Sequence, residues 1–67
     1  MLNSPAIDLA LSCPVGEKFS VNGRVFTRFS YSVSGYADRF VLKAWNAAGK
    51  VVDVTVRTDA KVALLGV

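Results

Sequence analysis

The residue types that most often carry catalysis are scarce in this chain. It contains no histidine and a single cysteine, Cys13, among 67 residues. Without histidine, a nucleophile would need lysine, a carboxylate or the backbone to activate it. Cys13 precedes Pro14 and is best explained as a small buried hydrophobe. The five carboxylates show no short-spaced pair suited to acid–base catalysis or cation binding, and the isolated glycines form no phosphate loop. We therefore expect no enzyme, no catalytic residues, no cofactor and no metal.

A second set of residues suits binding rather than catalysis. The chain carries eight basic and five acidic residues, a net charge of +3. Strand alternation predicts that most of its cations share the solvent face of a sheet with two aromatic rings. The candidate ligand-binding residues are Lys18, Arg24, Phe26, Arg28, Arg39, Lys43, Trp45 and Arg57. Exposed rings stack on unpaired bases while cations follow the phosphates. The leading hypothesis is a non-enzymatic protein that binds nucleic acid, as a single strand or through its backbone.

The same basic and aromatic residues also suit a protein partner. Tryptophan and arginine are favoured anchors of protein interfaces, and a free sheet edge can accept a strand from a partner or a second copy. The alternative is thus a protein interaction module or an inhibitor of a larger complex, including a homo-oligomer. A charged sheet face is also ordinary in a protein without a ligand. Phe26 is out of phase with its strand, and burial between sheets or in a dimer interface is the preferred interpretation of it.

The elements that must position these residues are short strands. Glycine and proline recur about every ten residues, a spacing typical of small antiparallel sheets. We expect one small β domain over residues 1–67, all-β, with at most one short C-terminal helical turn. Its architecture is predicted to be a small antiparallel sheet or a five-stranded SH3-like or OB-like barrel built from hairpins. No motif in the chain is diagnostic of a particular family.

The clearest unit is a hairpin from Arg39 to Arg57. Residues 46–49, Asn-Ala-Ala-Gly, suit a type I turn followed by a glycine with positive φ. Pairing outward sets Trp45 against Val51, Lys43 against Asp53 as an ion pair, and Arg39 against Arg57, a repulsion that Asp38 can relieve. One face of this hairpin is apolar, with Phe40, Leu42, Ala44, Val52, Val54 and Val56.

The Asn22-Gly23 dipeptide predicts a second hairpin, for which two registers can be compared. A two-residue loop would pair Val21 with Arg24 and place Phe19 on the arginine face of the following strand. A three-residue loop instead sets Val21 against Val25, and we prefer it because it makes one face apolar. The strand from Arg24 to Val33 then turns four large apolar residues and Thr27 inward and its arginines outward. The large inward residues are Val25, Phe29, Tyr31 and Val33.

The two ends of the chain show weaker patterns. Ala6 to Ser12 alternates apolar and polar residues, which favours a half-buried strand. The tail from Asp59 to Val67 suits a last strand or a short helix, of which we favour the strand. Leu64 and Leu65 are expected to help close the core.

The chain also lacks the signs of export or membrane insertion. No positively charged segment precedes an apolar run near Met1, and no stretch approaches the roughly 18 apolar residues of a membrane span. A lone cysteine fits a reducing compartment. We expect a cytoplasmic protein with no membrane partner.

Overall fold

The computed structural model describes residues 5–66, which form one helix and a five-stranded antiparallel sheet. The elements are α1 (Pro5–Ser12), β1 (Lys18–Val21), β2 (Arg24–Gly35), β3 (Arg39–Trp45), β4 (Val51–Arg57) and β5 (Val62–Gly66). The strand order is β4-β3-β2-β1-β5. The prediction of a mostly β fold is confirmed in its sheet form, since the sheet is not closed into a barrel. In the tail, Val62–Gly66 form the strand β5 and Val67 lies outside the described residues. The short helix lies at the beginning of the described chain.

The β3–β4 hairpin has the predicted register from end to end. Arg39 pairs with Arg57, Lys43 with Asp53 and Trp45 with Val51. We call the surface that packs on α1 the inner face; it carries Phe19, Leu42, Ala44, Val54 and Val56, all buried. The opposite surface is the outer face; it carries Lys18, Thr27, Lys43, Trp45 and Asp53.

The β1–β2 hairpin corrects the prediction of a three-residue loop. Val21 pairs with Arg24, and Phe19 pairs with Phe26. Asn22 has φ 52° and Gly23 has φ 85°, the two positive values that a two-residue type I′ turn requires. Every side chain in the first half of β2 therefore points to the face opposite to the predicted one.

The segment from Ala6 to Ser12 is α1 rather than the predicted strand. Pro5 stands in its first turn, where the missing N–H costs nothing. Ile7, Ala10 and the following Cys13 are buried at helical spacing. The apolar alternation is incidental, because alanine and leucine favour helix and the segment holds one β-branched residue, Ile7. The helix ends before Pro14, as the residue preceding proline disfavours helix.

The sheet curls so that its two edge strands approach each other. β4 and β5 lie at opposite edges, yet residues 58–61 are enough to connect them. The backbone N–H of Asn22 donates to the Lys61 carbonyl at 2.8 Å, which fixes this connection to the β1–β2 turn. α1 contacts both edge strands and covers the inner face. Leu64 and Leu65 are exposed, so the expectation that they close the core is wrong; α1 does so instead.

The long strand β2 is interrupted opposite β3. Its residues 29–32 lie across from Lys43 alone, between the pairs Arg28–Ala44 and Val33–Leu42. This bulge brings Tyr31 to the inner side, where its Oη accepts a hydrogen bond from the Val15 N–H at 3.2 Å. Tyr31 and Val33 therefore share the predicted side of the sheet but are exposed, because they lie beyond the part that α1 covers.

Candidate functional site

The outer face holds an aromatic pair on the two neighbouring interior strands β2 and β3. Phe29 and Trp45 contact each other with ring centroids 4.9 Å apart and planes at 85°, an edge-to-face arrangement. Phe29 is 39% exposed, and Trp45 is half-buried. Val25 and Val51 are exposed on the same face. An apolar patch thus lies on the side of the sheet that the core does not use.

Basic residues lie on the same face as this patch. Lys18 is exposed in β1 and pairs with Thr27, the cross-strand neighbour of Trp45. Lys43 donates to Asp53 at 2.9 Å, the predicted ion pair. Arg57 lies at the end of β4 on the same face. The outer face is therefore positively charged, with Lys43 partly neutralised.

Arg39, also on the outer face, is held by two neighbours. Its guanidinium contacts the Asp38 carboxylate at 2.8 Å and stacks on the exposed Tyr36 ring, 4.5 Å from the centroid. Asp38 thus relieves the repulsion between Arg39 and Arg57, as predicted. The ring of Tyr36 lies against this arginine on the surface and does not cover the core.

Arg28 is not part of the exposed face, which corrects its prediction as a ligand contact. Its side chain is 2% exposed, and its Nη1 donates to the carbonyls of Ala10, Leu11 and Cys13 at 2.8–3.1 Å. These carbonyls lie at the end of α1, where a cation interacts favourably with the helix dipole. Tyr31 lies over the guanidinium at 5.2 Å. Arg28 joins α1 to the sheet and is a structural residue.

Arg24 and Phe26 also lie on the inner side of β2, apart from Trp45. Phe26 is half-buried and packs on Phe19 with ring centroids 5.9 Å apart. Its partial burial agrees with the preferred interpretation, and the ring against it is that of Phe19 on the neighbouring strand β1. Arg24 is exposed beside the β1–β2 turn. Neither residue adds to the outer face.

Cys13 is buried, as expected for a structural cysteine. Its thiol donates to the Glu17 carbonyl at 3.5 Å. Burial raises the pKa of the Cys13 thiol above its ordinary value, and the nearby positive charge of Arg28 opposes this rise. A protonated, enclosed thiol is a poor nucleophile.

Two outer-face residues, Val25 and Phe29, are missing from the predicted site. The three-residue loop turns both of them inward and so assigns them to the core. The signal that places them correctly is present in the sequence, since Asn22-Gly23 is the commonest kind of two-residue hairpin turn. That turn puts Val25 and Phe29 on the side of Lys18.

No protein-family model, curated protein or solved structure matches this chain. The function must therefore be inferred from the chain's own surfaces. Within residues 5–66 no helix is long and apolar enough to cross a membrane. In the same range no three metal-binding side chains of histidine, cysteine, aspartate or glutamate come together.

Proposed function

We propose that this protein is a non-enzymatic binding protein whose outer face holds single-stranded nucleic acid. The observation that carries the proposal is the Phe29–Trp45 pair, which lies outside the core on the face that also carries Lys18, Arg39, Lys43 and Arg57. Base stacking on an exposed aromatic ring contributes about 1–3 kcal/mol per base and tolerates any sequence. A nucleic-acid strand that crosses this face from β1 to β4 would pass over the aromatic pair on β2 and β3.

The charges of the outer face suit a phosphate backbone. Lys18 and Arg57 lie on opposite sides of the aromatic pair, and neither forms an ion pair with another residue of the described chain. Asp53 is occupied by Lys43 and is the only carboxylate that the described strands place on this face. Each cation that neutralises a phosphate releases a counterion, so binding should weaken steeply with salt.

The single tryptophan makes the proposal directly testable. Trp45 is the only tryptophan in the chain, so quenching of its fluorescence by an oligothymidine or oligouridine reports contact at this face. Anisotropy of a labelled oligonucleotide then compares variants at several salt concentrations. We expect Phe29→Ala to weaken binding by about 5- to 150-fold, as the loss of one stacked base implies. Lys18→Ala should lower the salt slope by about one.

Matched controls separate this face from general effects of charge and ring content. Tyr31→Ala removes a ring that is 66% exposed on the other side of the sheet, and Lys61→Ala removes a cation outside the strands. Both should bind like the unmodified protein. Binding that is absent at micromolar protein, or equally weakened by Tyr31→Ala and Phe29→Ala, would disprove the nucleic-acid proposal.

A protein partner is the second candidate because of the two valines beside the aromatic pair. Val25 is 45% exposed and Val51 44% exposed, and aliphatic side chains around an aromatic anchor are typical of a protein interface core. Binding of such a partner should be lost in Val25→Ser or Val51→Ser and should depend only weakly on salt. The nucleic-acid proposal predicts the opposite: salt and Lys18→Ala should weaken binding more than Val25→Ser or Val51→Ser does.

A further inference from the structure

The outward edge of β4 carries unpaired backbone groups. β4 pairs with β3 on one side, and no other strand of the described chain pairs with its second side. The Asn46 N–H donates to the Lys50 carbonyl at 2.8 Å, which sets the alternation of bonded pairs along the hairpin. Asp53, Thr55 and Arg57 consequently direct their N–H and C=O groups away from β3. This edge is ready to accept another strand.

The edge is open to an approaching strand. A groove of about 480 Å³ runs beside it, lined on one side by Asp53, Val54 and Thr55 and on the other by residues of the β1–β2 turn, including Arg24. The side chains of Asp53 and Thr55 are exposed. Along residues 53–55 this edge therefore lies beside a groove and not against another strand of the described chain.

The charges along this edge favour one particular partner. Arg57 lies opposite Arg39, a like-charge pair that is unfavourable in a sheet. Asp38 is bonded to Arg39, whereas Arg57 has no carboxylate partner among residues 5–66. Asp53 lies on the same strand and face, four residues before Arg57. A strand that carries a carboxylate and an arginine at this spacing is self-complementary when it runs antiparallel to itself.

We propose that a second copy of this chain pairs with the first through β4, antiparallel, about a two-fold axis at Thr55. Asp53 of each copy then lies opposite Arg57 of the other, and the two Thr55 residues face each other. The backbone groups of all three residues point at the partner strand and exchange hydrogen bonds with it. On the inner face, Val54 of one copy lies opposite Val56 of the other. The side chains that face each other across the two strands therefore match on both faces of the joined sheet.

Other antiparallel registers are less favourable. An axis at Asp53 would place the two Asp53 carboxylates directly opposite each other, which is repulsive. An axis at Val54 would set Arg57 against Val51 and leave both charges unpaired. Only the axis at Thr55 joins opposite charges twice. The second oxygen of each Asp53 carboxylate can keep the contact with Lys43.

The dimer should be weak and dependent on concentration. Pairing of one strand from each copy buries less area than a standard stable interface. The Arg57 carbonyl already accepts the Ala60 N–H at 3.1 Å, so its bond to the partner would use the second lone pair. The pairing would extend each sheet into a ten-stranded one, and it uses Arg57, one of the two outer-face cations assigned above to the phosphate backbone.

Sedimentation equilibrium on the full chain measures this pairing. We expect a mass that rises with concentration from 7.2 kDa toward twice that value. Asp53→Arg and Arg57→Asp should each weaken the dimer by at least tenfold, since each creates two like-charge contacts. The double variant, Asp53→Arg with Arg57→Asp, should recover most of the affinity. Lys61→Glu is the matched control and should change nothing.

A backbone variant tests the same edge without changing its charge. Thr55→Pro removes an N–H that faces away from β3, a position where an edge strand tolerates proline. Circular dichroism should show an intact fold while the mass stays at that of the monomer. The proposal is overturned by a monomer at all concentrations up to about 1 mM, equivalent to roughly −4 kcal/mol. It is equally overturned by a dimer that survives the charge reversals and Thr55→Pro.

Discussion

The two hairpins of this protein differ in where their register comes from. The register of the β3–β4 hairpin is determined by the hairpin's own residues. Its turn, its alternation of apolar and polar residues and the Lys43–Asp53 ion pair all indicate the same register. The β1–β2 hairpin has an equally clear turn at Asn22-Gly23, but its alternation puts Arg28 in the core. An arginine is acceptable there only because another element provides its hydrogen-bond partners.

Burial of a charged side chain must therefore be judged together with its hydrogen-bond acceptors. The carbonyls that receive the Arg28 guanidinium belong to the end of α1, 15–18 residues earlier in the chain. Judged from β2 alone, burial of Arg28 would leave an unpaired charge in the core, at a cost of several kcal/mol. The three-residue loop avoids that cost, which is why the sequence pattern favours it and why that prediction is wrong.

Of the substitutions that test this difference between the hairpins, replacement of Arg28 should have the largest effect on stability. We expect Arg28→Ala to lower the free energy of unfolding by about 3–5 kcal/mol, because it leaves three carbonyls without their charged donor. Arg28→Lys keeps the charge without the planar fork and should lose less. Urea unfolding followed by circular dichroism gives both values.

Arg24→Ala is the matched control for Arg28, being an exposed arginine on the same strand and face. It should change stability by no more than about 0.5 kcal/mol. If Arg28→Ala and Arg24→Ala have equal, small effects, the Arg28 side chain lies in solvent and β1–β2 has the register of the three-residue loop.

The wrong predictions for residues 6–12 and for the register of β1–β2 share one cause, the burial of Arg28 against the end of α1. If Ala6 to Ser12 is a strand, no helix end remains to receive Arg28, so the arginine face has to be solvent. That register assigns Phe29 to the core and Phe26 to the binding face. The structure has the reverse arrangement, with Phe26 on the inner face and Phe29 on the outer face. Trp45, Lys43 and Asp53 are placed correctly from sequence because no distant contact decides their positions.

Replacement of Gly35, at the junction of β2 and β3, should have the next largest effect on stability. Gly35 pairs with Phe40, and a Cβ at Gly35 would lie 2.9 Å from the Phe40 Cε1. The ring must therefore move, and we expect Gly35→Ala to cost about 1–3 kcal/mol. Thermal unfolding of Gly35→Ala beside Ser34→Ala, an exposed neighbour, measures the difference.

The double variant Gly35→Ala with Phe40→Leu sharpens that result. A smaller side chain at position 40 leaves room for the new methyl group, so the combined loss should be less than the sum of the two single losses. Additive losses would show that the ring does not lie over Gly35. The β3–β4 hairpin would then be independent of β2 at this end.

Replacement of the two turn asparagines, Asn22 and Asn46, should have the smallest and most local effects on stability. The Asn46 Oδ1 accepts from the N–H groups of Ala48 and Lys50, within its own turn. The Asn22 Oδ1 accepts from the Lys61 N–H at 2.9 Å, 39 residues away. Asn46→Ala and Asn22→Gly, the latter keeping freedom for positive φ, should each cost about 0.5–1.5 kcal/mol.

Amide hydrogen exchange distinguishes these two losses. Asn46→Ala should speed exchange at Ala48 and Lys50 alone, whereas Asn22→Gly should speed exchange at Lys61 and along β5, because the turn of β1–β2 holds the start of that strand. Unchanged exchange at Lys61 in Asn22→Gly would mean that this contact does not form. Faster exchange there would show that even the turn of the β1–β2 hairpin depends on a distant segment, in contrast to the self-contained turn at Asn46.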